Sequence, residues 1–185
     1  MIYLTSDTHF NHDRAFIWEP RGFKSVKEAN DIIIYNWNSM IEPTDDVYML
    51  GDFFLGTDLD YVSDTLALLH GNIHFIRGNH DTDAKMKIYR SAKNIIEIAD
   101  ALWLDYRDRH FYLSHYPTIT ANLNDTPATA VFNLHGHTHS KRKFYEDRPY
   151  MYNVAVDAHN NKPISIDQIM ADIDAEIEKC KGFLV

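Results

Sequence analysis

Five polar clusters in this 185-residue chain combine side chains able to bind a metal or move a proton. They are Asp7 with His9; Asp52; Asn79 with His80 and Asp81; His115; and His137 with His139. In the first and last clusters one residue separates the two donors, so on extended backbone each pair shares a face. Leaving His80 and Asp81 aside, the set comprises two carboxylates, one amide oxygen and four imidazoles. Oxygen and nitrogen donors of this kind suit Mn²⁺, Fe or Zn²⁺, and the lack of thiolates disfavours a soft-metal site. Seven donors are too many for one tetrahedral zinc. They suit two ions that share a bridging carboxylate.

The elements that must position these groups are short. Each cluster follows an apolar run: Ile2-Tyr3-Leu4, Val47–Leu50, Ile73–Ile76, Phe111–Leu113 and Val131–Leu134. Short apolar runs bounded by Gly and polar residues predict strands. Helical spacing covers 26–41, 58–69, about 83–93 and the C-terminal segment with Ile166, Ile169, Ile173 and Ile177. Ser25 with Glu28, and Ser165 with Gln168, read as capping boxes, and Gly71 as a helix stop. Strand–helix alternation in the first half predicts an α/β fold with parallel pairing. The later strands, including 151–156, follow one another without helices, which predicts a second, more antiparallel sheet. In open α/β sheets ligands sit beyond the carboxyl ends of strands, where all five clusters fall.

Asp7-x-His9, Gly51-Asp52, Gly78-Asn79-His80-Asp81, His115 and Gly136-His137-x-His139, in this order from residue 7 to 139, resemble the motifs of calcineurin-like metallophosphoesterases. The opening Ser6-Asp7-Thr8-His9-Phe10-Asn11-His12 and the segment Asn153–Asp157 are similar to a small bacterial and phage branch of that family. The resemblance implies a four-layer αββα sandwich of two mixed sheets flanked by helices, over one domain spanning 1–185 with no separate cap. It implies that Asp7, His9 and His139 hold one divalent metal, that Asn79, His115 and His137 hold the other, and that Asp52 bridges. Whether His115 binds through Nδ1 or Nε2 stays open. Mn²⁺ is the expected ion, with Fe, Zn²⁺ or Ni²⁺ as alternatives. A metal-bridging hydroxide would attack phosphorus, and His80 would act as general acid at the leaving oxygen.

The resemblance has gaps. The Ser/Thr phosphatase branch carries Gly-Asp-x-x-Asp-Arg-Gly, whereas this chain reads Gly51-Asp52-Phe53-Phe54-Leu55-Gly56. The Asp that would orient the catalytic His is absent; Asp81, Asp45 and Asp46 are candidates for that task. Expected substrate contacts are His12, Arg14 and Asp81. In the loop 10–24, rich in aromatics and arginines, Arg14 is the arginine singled out for substrate and the rest are read as packing or solvated. The long connection 116–130, with Pro117 and Pro127, is expected to form part of the rim.

Composition narrows the function classes. A formal charge of -9 opposes broad binding to nucleic-acid duplex, which needs clustered cations. Two divalent ions would shift that charge to -5 and draw a phosphate anion into the cleft. The single Cys180 excludes a disulfide framework and fits a reducing, cytoplasmic setting. No apolar run approaches the roughly 20 residues that span a bilayer, and no targeting signal is read. Within these bounds the resemblance implies a hydrolase of small phosphoesters, nucleotides among them, leaning towards diesters. Alternatives are a phosphomonoesterase, a nuclease for short oligonucleotides, and a non-catalytic scaffold on the same fold. Oligomeric state is not read.

Overall fold

The protein is described from a computed structural model covering residues 1–121, 125–126 and 128–182. Pro127 of the expected rim lies outside the described residues.

In chain order the elements are β1 (Ile2–Thr5), α1 (Ala15–Trp18), α2 (Val26–Met40), β2 (Asp46–Met49), α3 (Leu59–Leu68), β3 (Asn72–Ile76), α4 (Asp83–Ser91), β4 (Ile95–Ala99), β5 (Ala101–Tyr106), β6 (Arg109–Ser114), β7 (Val131–His135), β8 (Met151–Asn153), β9 (Ile164–Ser165) and α5 (Ile166–Gly182). They build two mixed sheets flanked by helices, in the orders β4-β3-β2-β1-β9 and β5-β6-β7-β8. The first sheet is parallel except for β9.

Strand alternation sorts the core into two layers. Tyr3, Val47, Met49, Ile73 and Phe75 point to one face, against Ile33 and Trp37 of α2, Val62 and Leu66 of α3, and Met86 and Tyr89 of α4. Leu4, Leu50 and Ile76 point to the other, against Phe111, Leu113, Phe132 and Leu134 of the second sheet and the isoleucines of α5. The apolar stripes read from the sequence are thus the buried faces of these helices. Both expected caps form in part. The Ser25 and Ser165 hydroxyls accept from the Glu28 and Gln168 amides. The Glu28 carboxylate turns instead to the Lys24 amide, and the Gln168 amide to Asp172.

Three features depart from the sequence reading. The second sheet is not mainly antiparallel: β5 and β6 pair antiparallel, but β6–β7 and β7–β8 pair parallel. Connections of a dozen or more residues suffice to return a strand parallel without a helix. The expected strand 151–156 ends at Asn153, whose side-chain oxygen accepts from the Ala155 amide at 3.0 Å and turns the chain. Ala155 then bridges to Ser6, joining the segment to the end of β1. The strands β4, β5 and β9, and the single-turn helix α1 within the expected loop 10–24, were not anticipated.

Candidate metal centre

All five clusters emerge at the carboxyl ends of β1, β2, β3, β6 and β7. There the backbone leaves the ordinary regions. Asp7, His9, Asp52, His137 and His139 all have φ between 48° and 69°. Left-handed backbone is uncommon for residues other than glycine, costs about 1–3 kcal/mol each, and concentrates at functional sites. Close approach adds a second constraint. A Cβ on Gly136 would collide with the Ser6 hydroxyl and Asp7 Oδ2, and one on Gly78 with the Asp52 carboxylate. The glycines of the third and fifth clusters are thus needed for the loops to meet.

The side chains converge in two groups. In the first, the Nε2 atoms of His9 and His139 face each other at 3.1 Å. Asp7 Oδ1 lies 3.8 Å from each of them and has no hydrogen-bond partner. His139 Nδ1 sits 3.2 Å from Asp157 Oδ2, so it carries the proton and leaves a lone pair on Nε2. A cation would satisfy that lone pair, the His9 nitrogen and the buried carboxylate oxygen together. In the second group, Asn79 Oδ1 lies 3.0 Å from His115 Nε2 and 3.0 Å from His137 Nδ1. His115 donates through Nδ1 to the Leu50 carbonyl at 2.8 Å, so Nε2 is its free nitrogen, the choice that the sequence leaves open.

Asp52 stands between the groups. Its Oδ2 is 3.6 Å from His9 Nε2 and 3.6 Å from His115 Nε2, while Oδ1 accepts from the His80 amide at 2.8 Å. The combinations Asp7–His9–His139 and Asp7–Asp52–His115 each bring their donor atoms within 4.8 Å of one another. All seven residues singled out from the sequence as metal donors therefore meet at one place, with His80 beside them.

The matching family model describes calcineurin-like phosphoesterases and covers residues 1–179. The chain belongs to the calcineurin-like phosphoesterase family. It is 34% identical over 179 residues to the uncharacterized protein MJ1445 of Methanocaldococcus jannaschii, covering 94% of this chain and 91% of that one. The crystal structure of AQ665 from Aquifex aeolicus, a protein of unknown function, shares the fold with a TM-score of 0.71. It is 26% identical, over 92% of this chain and 98% of that one.

The electrostatics of this site suit cations. Burial pushes the Asp7 carboxyl up to about 6, against the pull of His115, His139 and the Ser6 hydroxyl. Burial, then the neighbouring His139 and Arg21, hold His9 well below the ordinary imidazole range. Burial and His115 lower His137. Neutral imidazoles and a buried carboxylate with a free oxygen are what metal ligation requires. Burial works against protonation of His139 too, but the Asp157 hydrogen bond and the Asp7 carboxylate outweigh it and raise that group.

The expected substrate contacts fare differently. His12 is buried, with its ring 5.8 Å from His9 and its Nδ1 accepting from the Arg14 amide. The Arg14 side chain is 73% exposed and lies near Asp13. The arginine of that loop turned inward is Arg21. It forms a two-pronged pair with Asp157 at 2.9 and 2.8 Å and donates to the carbonyls of Thr8 and Asp7. Arg21 and Asp157 thus tie the first cluster to His139. Neither was singled out from the sequence; the only signal was the resemblance of the segment ending at Asp157 to a branch of the family.

Asp81 is corrected in both expected roles. It is 1% exposed, and its carboxylate accepts from the amides of Asp52, Phe53 and Gly78 and from the Tyr89 hydroxyl. Its acceptor sites are directed inward, so it braces the Asp52 loop and faces neither substrate nor the His80 ring. Asp45 is drawn to the Met1 amino group and Asp46 lies near His74. The carboxylate near the His80 ring is Asp52 itself, 4.0 Å from Nε2.

Proposed function

We propose that this chain is a dinuclear, metal-dependent phosphodiesterase acting on small esters, nucleotides among them. Asp7, His9 and His139 would hold one ion and Asn79, His115 and His137 the other, with Asp52 shared. The observation that carries this reading is the position of Asp52 Oδ2, equidistant at 3.6 Å from a histidine of each group. When bound, two divalent ions would activate water and neutralise the phosphoryl oxygens. The nitrogen and oxygen donor set suits Mn²⁺ first, with Fe, Zn²⁺ or Ni²⁺ as alternatives.

The chain's own groups divide the remaining work. The His80 amide fixes Oδ1 of Asp52 and so aims Oδ2 at both groups. The His80 ring is half exposed beside them, placed to give a proton to the leaving oxygen. The lean towards diesters rests on the open rim: side chains of His80 and His139 are 49% and 34% exposed, which leaves room for a phosphate with two substituents. Among the described residues no helix is long and apolar enough to cross a membrane. We infer a cytoplasmic setting from the lone, unbridged Cys180, and no long duplex as substrate from the acidic balance.

The test is turnover by the Mn²⁺-loaded protein of bis-(p-nitrophenyl) phosphate against p-nitrophenyl phosphate. A higher kcat/KM for the diester is expected. A strong preference for the monoester would make the chain a phosphomonoesterase.

A further inference from the structure

Next to the second donor group lies a cleft of about 390 Å³, lined by His115 of that group and by Gly78, Arg77, Asp100, Tyr112 and Tyr116. Tyr116 directly follows His115 and is 50% exposed. Its ring meets His137 at 4.6 Å and His115 at 5.1 Å, edge to face in both cases. The backbone that presents it is pinned. The Tyr116 carbonyl accepts from the hydroxyls of Ser114 and Thr118 at 2.8 and 3.0 Å. Asn133, fully buried, donates to the Ser114 hydroxyl and accepts from the Thr118 amide. A buried polar network thus fixes an exposed aromatic ring against two histidines of the centre. Such a ring offers stacking area at little entropic cost, because its orientation is set before the ligand arrives.

We propose that Tyr116 and this cleft bind the substituent of the phosphate, and that this substituent is an uncharged alcohol carrying an aromatic base, of the nucleoside kind. This rests on the phosphodiesterase reading. The charge of the walls decides against a second phosphate: Arg77 is matched by Asp100 in the cleft, and its guanidinium is already engaged by Asp83 at 2.8 Å. The exposed face of the Tyr116 ring suits a base, whose own faces stack regardless of sequence.

Two esters with the same leaving group isolate the substituent: thymidine 5′-(p-nitrophenyl phosphate) and methyl p-nitrophenyl phosphate. The Mn²⁺-loaded wild type is expected to prefer the nucleoside ester by about 10-fold or more in kcat/KM, the scale of one base stacked on an aromatic side chain. Tyr116→Ala should bring that ratio towards one, chiefly through KM, and Tyr116→Phe should keep it. Titration calorimetry of the metal-free chain gives a readout without turnover. Thymidine 5′-monophosphate should bind more tightly than methyl phosphate to the wild type, and Tyr116→Ala should remove the difference. A wild-type ratio near one, or a ratio that Tyr116→Ala leaves unchanged, overturns the assignment. If neither ester turns over, the phosphodiesterase reading falls; equal binding of the two ligands in calorimetry overturns the cleft assignment separately.

Discussion

Asp157 accepts from His139 and pairs with Arg21, which in turn holds the Asp7 and Thr8 carbonyls. A carboxylate behind a metal-binding histidine fixes its tautomer and orientation, and its loss costs about 10–100-fold in metal affinity. Asp157→Asn should therefore weaken Mn²⁺ binding by about that factor in a dialysis titration, with the fold retained by circular dichroism. An unchanged affinity would mean that His139 needs no such support. At this scale the donors themselves were legible: each sits where an apolar run stops, and their types alone limit the chemistry. The groups behind them were not. Arg14 and Arg21 share one loop and similar aromatic neighbours, and what turns Arg21 inward is Asp157, far along the chain. The bracing role of Asp81 was not legible because its partners Asp52, Phe53 and Tyr89 come from other elements.

The helix α4 does more than cover the sheet. Lys85, 3% exposed, donates through Nζ to the carbonyls of Phe54 and His80 at 2.6 and 3.0 Å. It clamps together the loops that carry Asp52 and His80. Lys85→Met would leave both carbonyls without this donor, at about 1–3 kcal/mol for each group left unsatisfied. The melting temperature is expected to fall by roughly 5–15 °C, measured by calorimetry. A fall within about 1 °C would show that water replaces the ammonium fully. The helices α2 to α5 and the inner strands were readable because their apolar period matches their burial. The edge strands β4 and β5 were not, because Ile96 and Trp103 point outwards at 55% and 58% exposure and blur the alternation. With two residues, β9 has too few to show a period.

Across the whole molecule, pH acts through groups buried away from the centre as well as within it. His159 stacks on Tyr152 and bonds the Asn153 carbonyl, and burial holds its pKa below the ordinary imidazole value. The unfolded chain takes up a proton at about pH 6.5, whereas the folded one resists it, so His159 costs stability as pH falls below that value. The metal-free protein should lose stability as pH falls below about 6.5, and His159→Gln should flatten that slope in denaturant titrations. A slope unchanged by the substitution would place the acid sensitivity elsewhere. The central claim concerns the assembly of both donor groups around Asp52, and a Mn²⁺ titration of the metal-free chain, with bound metal and bis-(p-nitrophenyl) phosphate turnover read at each point, tests it most directly. Turnover should rise with the second ion bound per wild-type chain, and Asp52→Asn should lose both the second ion and most of the activity. A wild type that saturates at one ion, or an Asp52→Asn variant that keeps two ions and full turnover, would contradict the account.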